Sequence, residues 1–113
     1  MLPAGSRLRR PADFASVMRR GRRSGNETVV VYLALTGDAD SMAGLAVSRT
    51  VGGAVIRNRI KRRLRAILAD LLPTLPTGTR VVVRALPPAA SASFEELRAS
   101  VSDALSRSLA KAR

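Results

Sequence analysis

The chain has 113 residues, of which 18 are Arg, 2 Lys and only 8 acidic, giving a net charge of +12 and a pI near 11.9, with no His, Cys or Trp. That length fits one small domain, and a hydrophobic content of 46% is that of a globular chain rather than a disordered basic tail. The absent residues exclude Ser-His and Cys-His nucleophile pairs, a neutral-pH imidazole base, Cys- or His-ligated zinc and iron–sulfur sites, and disulfides.

In chain order, the first predicted helix covers residues 11–20. Pro11 suits its first turn, Asp13 complements its dipole, and Gly21 is a natural stop. Phe14, Val17 and Met18 fall at i, i+3, i+4 and make one apolar face, which reads as core by spacing alone. Residues 28–35 (TVVVYLAL) read as a strand covered on both faces. Tyr32, the only tyrosine, has two open readings: an exposed stacking platform, or a buried ring with a bonded hydroxyl. Residues 36–42 carry turn chemistry, and residues 43–48 are expected as the antiparallel partner of the preceding strand. A loop over 49–53, with backbone N–H groups suited to an anion, leads into a long helix over 54–72.

In that helix Ile56, Ile60, Leu64, Ile67, Leu68 and Leu71 form the buried stripe. Asn58, Lys61, Arg62 and Arg65 project to the far face, flanked by Arg57 and Arg59. Pro73 and Pro76 end it. A strand follows over 80–86, then a last helix that begins after Ser91 or Ser93. Ser93 and Glu96 fit a capping box, and Phe94, Leu97, Val101, Leu105 and Leu109 give the buried stripe. The whole is an α+β single domain spanning 1–113, with residues 1–6 and 110–113 expected to be flexible. No apolar stretch approaches the ~18–20 residues of a membrane span, and none follows the basic start as a secretory signal would. A cytoplasmic chain with no membrane contact is expected.

The charge is not spread evenly. Residues 1–65 hold 14 basic and 4 acidic residues, net +10; residues 66–113 hold 6 and 4, net +2. Seven Arg lie in residues 7–23 against Asp13 alone. Residues 57–65 hold five Arg and Lys61 with no acid. A solvated helix face interleaves Glu with Lys to gain i,i+4 pairs, whereas this one repels itself unless a polyanion supplies the negative charge. The Arg-rich first segment is less specific and also fits a plain basic arm. The eight carboxylates are scattered singly, so no protein active site is expected.

The run AVSRTVGGAVIRNRIKRRLR (residues 46–65) strongly resembles the signature of the bacterial ribonuclease P protein component: a strand ending near a Ser-basic pair, a glycine turn, and a helix with an Arg-Asn-Arg-x-x-Lys-Arg-x-x-Arg pattern. RLRRPADFASVMRRG (7–21) resembles that family's first helix, VVVYLAL its central strand, and VVVRALPPAASASFEELRASV its last strand and helix. The resemblance implies an α-β-β-β-α-β-α sandwich like a domain of a small-subunit ribosomal protein. It also implies a left-handed βαβ crossover around the basic helix and a short extra strand near residues 22–25. It implies a protein subunit that binds the catalytic ribonuclease P RNA and the 5′ leader of precursor tRNA, while the RNA, which mainly holds the Mg²⁺, performs the hydrolysis. No obligatory protein partner is implied. By position, Arg49, Arg57, Asn58, Arg59, Lys61, Arg62 and Arg65 would contact the catalytic RNA, and Phe14, Met18 and Tyr32 would line the leader cleft. Three residues depart from the family pattern: Met18 for a frequent aromatic, Thr50 for a basic residue, and Gly53 for Asn. The alternatives are a ribosomal or other structural RNA-binding protein and a metal-dependent nuclease acting without RNA.

Overall fold

In the computed structural model, which describes residues 2–113, the order of elements is α1 (Pro11–Arg20), β1 (Arg22–Gly25), β2 (Val29–Leu35), β3 (Met42–Ala46), α2 (Ala54–Leu71), β4 (Thr79–Ala85) and α3 (Phe94–Ala112). The short strand that the resemblance implied is β1. One four-stranded sheet runs in the order β1-β2-β4-β3. No described helix is long and apolar enough to cross a membrane.

Strand β3 does not pair with β2. It pairs in parallel with β4, which lies antiparallel to β2 over seven residue pairs. The physical reason lies in the turn between β2 and β3, whose polar groups bond to the approach to β4 instead. The Thr36 N–H and hydroxyl both donate to the Gly78 carbonyl. The Ser41 hydroxyl donates to the Pro76 carbonyl and accepts from the Thr79 N–H. Gly78 holds φ +84°, and a Cβ there would sit 2.6 Å from the carbonyl oxygens of Thr36 and Asp38, so only glycine fits this junction.

Alternation along the strands divides the apolar residues between two faces. Val29, Val31 and Leu33 of β2, with Val81 and Val83 of β4, meet Ile60, Leu64, Ile67 and Leu68 of α2 and Leu97, Val101 and Leu105 of α3. On the other face Val30, Tyr32 and Val82 pack with Val17 and Leu8, joined by the half-buried Phe14 and Met18. Each fully buried aliphatic side chain contributes about 1.5–3 kcal/mol.

Helix α3 is fastened to the sheet along its length. The Ser108 hydroxyl donates to the Val31 carbonyl, Arg107 to the Gly25 carbonyl and Lys111 to the Arg23 carbonyl. Asn26 closes the β1–β2 hairpin as an Asx turn and donates from its amide to the Ser100 carbonyl. Helix α3 extends to Ala112. At the start, residues 2–8 run beside the free edge of β3. Leu2 is buried, Arg7 bridges to Ala43, and the Leu8 N–H donates to the Ala43 carbonyl. Met1 lies outside the described residues. A departure is Phe94, placed in the buried stripe of α3 by spacing but 37% exposed; as the first residue of the helix it has no preceding turn to pack beside it.

The capping box at the start of α3 is complete: the Glu96 N–H donates to the Ser93 hydroxyl, and the Ser93 N–H donates to the Glu96 carboxylate. The Ser93 backbone N–H holds the Glu96 carboxyl below its ordinary value of 4.5. A lowered folded-state value means that this contact stabilises the fold fully above the ordinary carboxylate range and is lost as pH falls through the lowered one. The melting-temperature gap between the parent and Glu96→Ala should thus stay constant from neutral pH down to the ordinary range and close below it, as followed by circular dichroism.

Candidate nucleic-acid interface

Helix α2 starts at Gly53 with no side-chain cap, carries no acid in its first turn and rises about 27 Å over its 18 residues. Its cations do not share one face. Asn58 and Arg62 are exposed, in line with Val55, which is 82% exposed. Lys61 and Arg65 turn to one flank and line a small recess, about 160 Å³, with Arg7, Phe14 and Gly44. Arg59 and Arg63 turn to the other flank, where they donate to the carbonyls of Ala90 and Ala92 at 3.0 and 3.1 Å. These two arginines brace the segment between β4 and α3. Arg57 is half-buried, with its Nε sealed from solvent. The simple projection to a far face fails for Lys61 and Arg65 because a stripe as broad as Ile56 to Leu68 leaves them on the shoulder.

Among the described residues the ion pairs are Arg80–Asp38, Arg98–Asp70 and Arg107–Asp103. No cation of residues 49–65 is in any of them. Arg49 stands exposed in the loop before α2, beside a Ser48–Thr50 hydroxyl contact of 2.7 Å. The positive field of this surface is therefore not compensated by an ion pair among the described residues.

Beside it lies the groove between α1 and the sheet. A Cβ on Gly44 would come within 2.6 Å of the Phe14 ring, so the missing side chain lets the ring pack directly against β3. Tyr32 resolves neither way foreseen. Its ring is buried at 7% exposure, yet its hydroxyl has no hydrogen-bond partner among the described residues and is not sealed from solvent. Met18 is half-buried at the same wall. Phe14, Met18 and Tyr32 are thus brought together in one apolar cluster, and Lys61 and Arg65 reach the same Phe14 around the edge of β3. That junction was not visible in the sequence, because it depends on residues 2–8 docking along β3.

An uncompensated cationic helix next to an apolar groove is the surface of an RNA-binding protein. A family model described as Ribonuclease P matches residues 2–109. The ribonuclease P protein component of Acidothermus cellulolyticus is 54% identical over 110 residues, covering 95% of this chain and 91% of the relative. That of Streptomyces bikiniensis is 47% identical, with 96% of each chain covered. Among solved structures, the RNase P protein of Staphylococcus aureus superposes with a TM-score of 0.80 at 26% identity over 90% of this chain and 94% of that one. The Thermotoga maritima protein gives 0.78 at 30% identity over 89% and 96%. The chain belongs to the bacterial ribonuclease P protein family, and so is a subunit of a tRNA-processing ribonucleoprotein.

The split of the α2 arginines has a direct consequence for stability. Arg59→Ala leaves the Ala90 carbonyl without its charged donor and should cost about 1.5–3 kcal/mol. Arg62→Ala, with no internal partner to lose, should stay within about 0.5 kcal/mol of the parent. Urea unfolding of the isolated protein measures both.

Proposed function

We propose that this subunit docks on the catalytic RNA through the outward surface of α2 and the loop before it, and holds the 5′ leader of precursor tRNA in the groove of α1. The observation that carries the reading is that no cation of residues 49–65 has an acidic partner among the described residues, while the carboxylates that pair do so outside that segment. Arg49, Asn58 and Arg62 are the groups free to meet RNA phosphates. Lys61 and Arg65 serve at the junction with the groove, and Arg57 supports them from its half-buried place. Arg59 acts by positioning the β4–α3 segment, with its Ala90 contact as support.

In the groove, Phe14 and Met18 offer apolar surface to an unstacked base, and Tyr32 offers a free hydroxyl at the rim of a buried ring. Base–aromatic stacking is worth about 1–3 kcal/mol per base and tolerates any sequence. Met18, a flexible thioether rather than an aromatic ring, contributes less by stacking.

Hydrolysis is assigned to the RNA. Among the described residues no three of Asp, Glu, His and Cys converge to hold a metal ion. The chain does not fit a metal cage of its own, and the Mg²⁺ of the reaction is assigned mainly to the RNA. The role left for the protein is to hold two RNA chains in register, an effect of orientation rather than of chemistry.

Arg62→Ala combined with Arg49→Ala should weaken assembly with ribonuclease P RNA and flatten the log–log salt slope of assembly by about 1.4–1.8, the loss of two phosphate contacts. An unchanged slope in filter binding across a salt series would remove this surface from the docking site. Phe14→Ala in the assembled enzyme should weaken precursor tRNA more than mature tRNA. Equal loss for both would make Phe14 a core residue only.

A further inference from the structure

Strand β4 presents two arginines to the α1 face, and they end in opposite states. Arg80 is closed off: its guanidinium contacts the Asp38 carboxylate at 2.8 Å and the Asp40 carbonyl, and its side chain is 15% exposed. Arg84, two residues beyond Val82 on the same face, is half-buried and has neither a hydrogen bond nor an ion pair among the described residues. A partly desolvated guanidinium without a partner is unfavourable unless an anion joins it.

Its place says which anion. Arg84 lies opposite Val30 on β2 and Ala46 on β3, while Tyr32 lies opposite Val82. Arg84 is therefore the diagonal neighbour of Tyr32, about 7–8 Å away across the strands. On the other side of Tyr32, directly opposite it on β1, stands the exposed Arg23. Arg80 borders the opposite side of α1, in a recess with Asp13, Ser16 and Asp38. Arg23 and Arg84 are thus the cations beside Tyr32 that lack a partner among the described residues, whereas Arg80, its other diagonal neighbour, is already neutralised by Asp38.

We infer that Arg84, assisted by Arg23, is a backbone-phosphate contact for single-stranded RNA crossing Tyr32. It extends the leader path along β4 past the apolar part of the groove. A guanidinium suits this task because its fork of donors matches phosphate oxygens without reading the base. The inference rests on the assignment of the groove to the leader.

The test uses the assembled enzyme and equilibrium binding of precursor tRNAs with short and long leaders, with mature tRNA as reference. Arg84→Ala should weaken the long-leader precursor roughly tenfold relative to mature tRNA. It should also flatten the salt slope for that precursor by about 0.7, the value for one phosphate on a single strand. Arg84→Lys should restore the slope. Arg84→Gln, which keeps a polar side chain without the charge, should behave as Arg84→Ala and guards against a folding defect. Long-leader affinity unchanged in Arg84→Ala and Arg84→Gln, or an equal loss for mature tRNA, overturns the inference. Phe14→Ala run alongside separates the causes. If it alone loses precursor discrimination, the groove holds the leader but Arg84 does not touch it. If neither variant loses it, the groove itself is misassigned.

Discussion

The constraint on which the rest depends is the central position of β4. Val81, Val82 and Val83 are all fully buried, which requires cover on both faces of the sheet and a neighbour on each side. Because β2 and β3 supply the two neighbours, the chain must leave β3, cross by α2 and return parallel beside it. That crossing places the most basic segment of the chain on one face at the β3 margin. It leaves the opposite face to α1 alone, too short to cover it. The groove and the cationic surface are both consequences of this arrangement.

Electrostatics then divides the arginines by job. Arg59 and Arg63 hold backbone carbonyls, and Arg80, Arg98 and Arg107 hold carboxylates. The three ion pairs have well-exposed acidic partners, and such pairs contribute at most about 1 kcal/mol each. They do not hold the domain together; the two apolar clusters do. What the pairs achieve is to consume acidic charge outside residues 49–65, so that Arg49 and Arg62 face outward unopposed. Partner RNA that binds only the folded chain stabilises it by mass action.

Much of this was legible from residue type and spacing. Pro11 and Gly21 bounded α1, the Ser93–Glu96 pair marked the start of α3, and the α2 stripe identified Ile60, Leu64, Ile67 and Leu68 as core. Local rules failed where distant segments meet. Turn-forming residues at 36–42 suggested a hairpin, but their hydrogen bonds go to residues 76–79, more than thirty positions away. Periodicity placed Arg59 beside the other α2 cations, yet the carbonyl it meets belongs to a segment whose position follows only from the sheet order. The burial of Tyr32 with a free hydroxyl likewise needed the depth of α1 over the sheet. The free state of Arg84 needed the comparison with Arg80 on the same strand face.

The central claim is that one small domain keeps two RNA chains on two adjoining surfaces. Site-directed photocrosslinking in the assembled enzyme with precursor tRNA bound tests it most directly, with the reactive group placed at position 62 or at position 18. The arrangement requires position 62 to react with ribonuclease P RNA and position 18 with the leader. Reaction of position 62 with the leader, or of position 18 with the catalytic RNA alone, would contradict it.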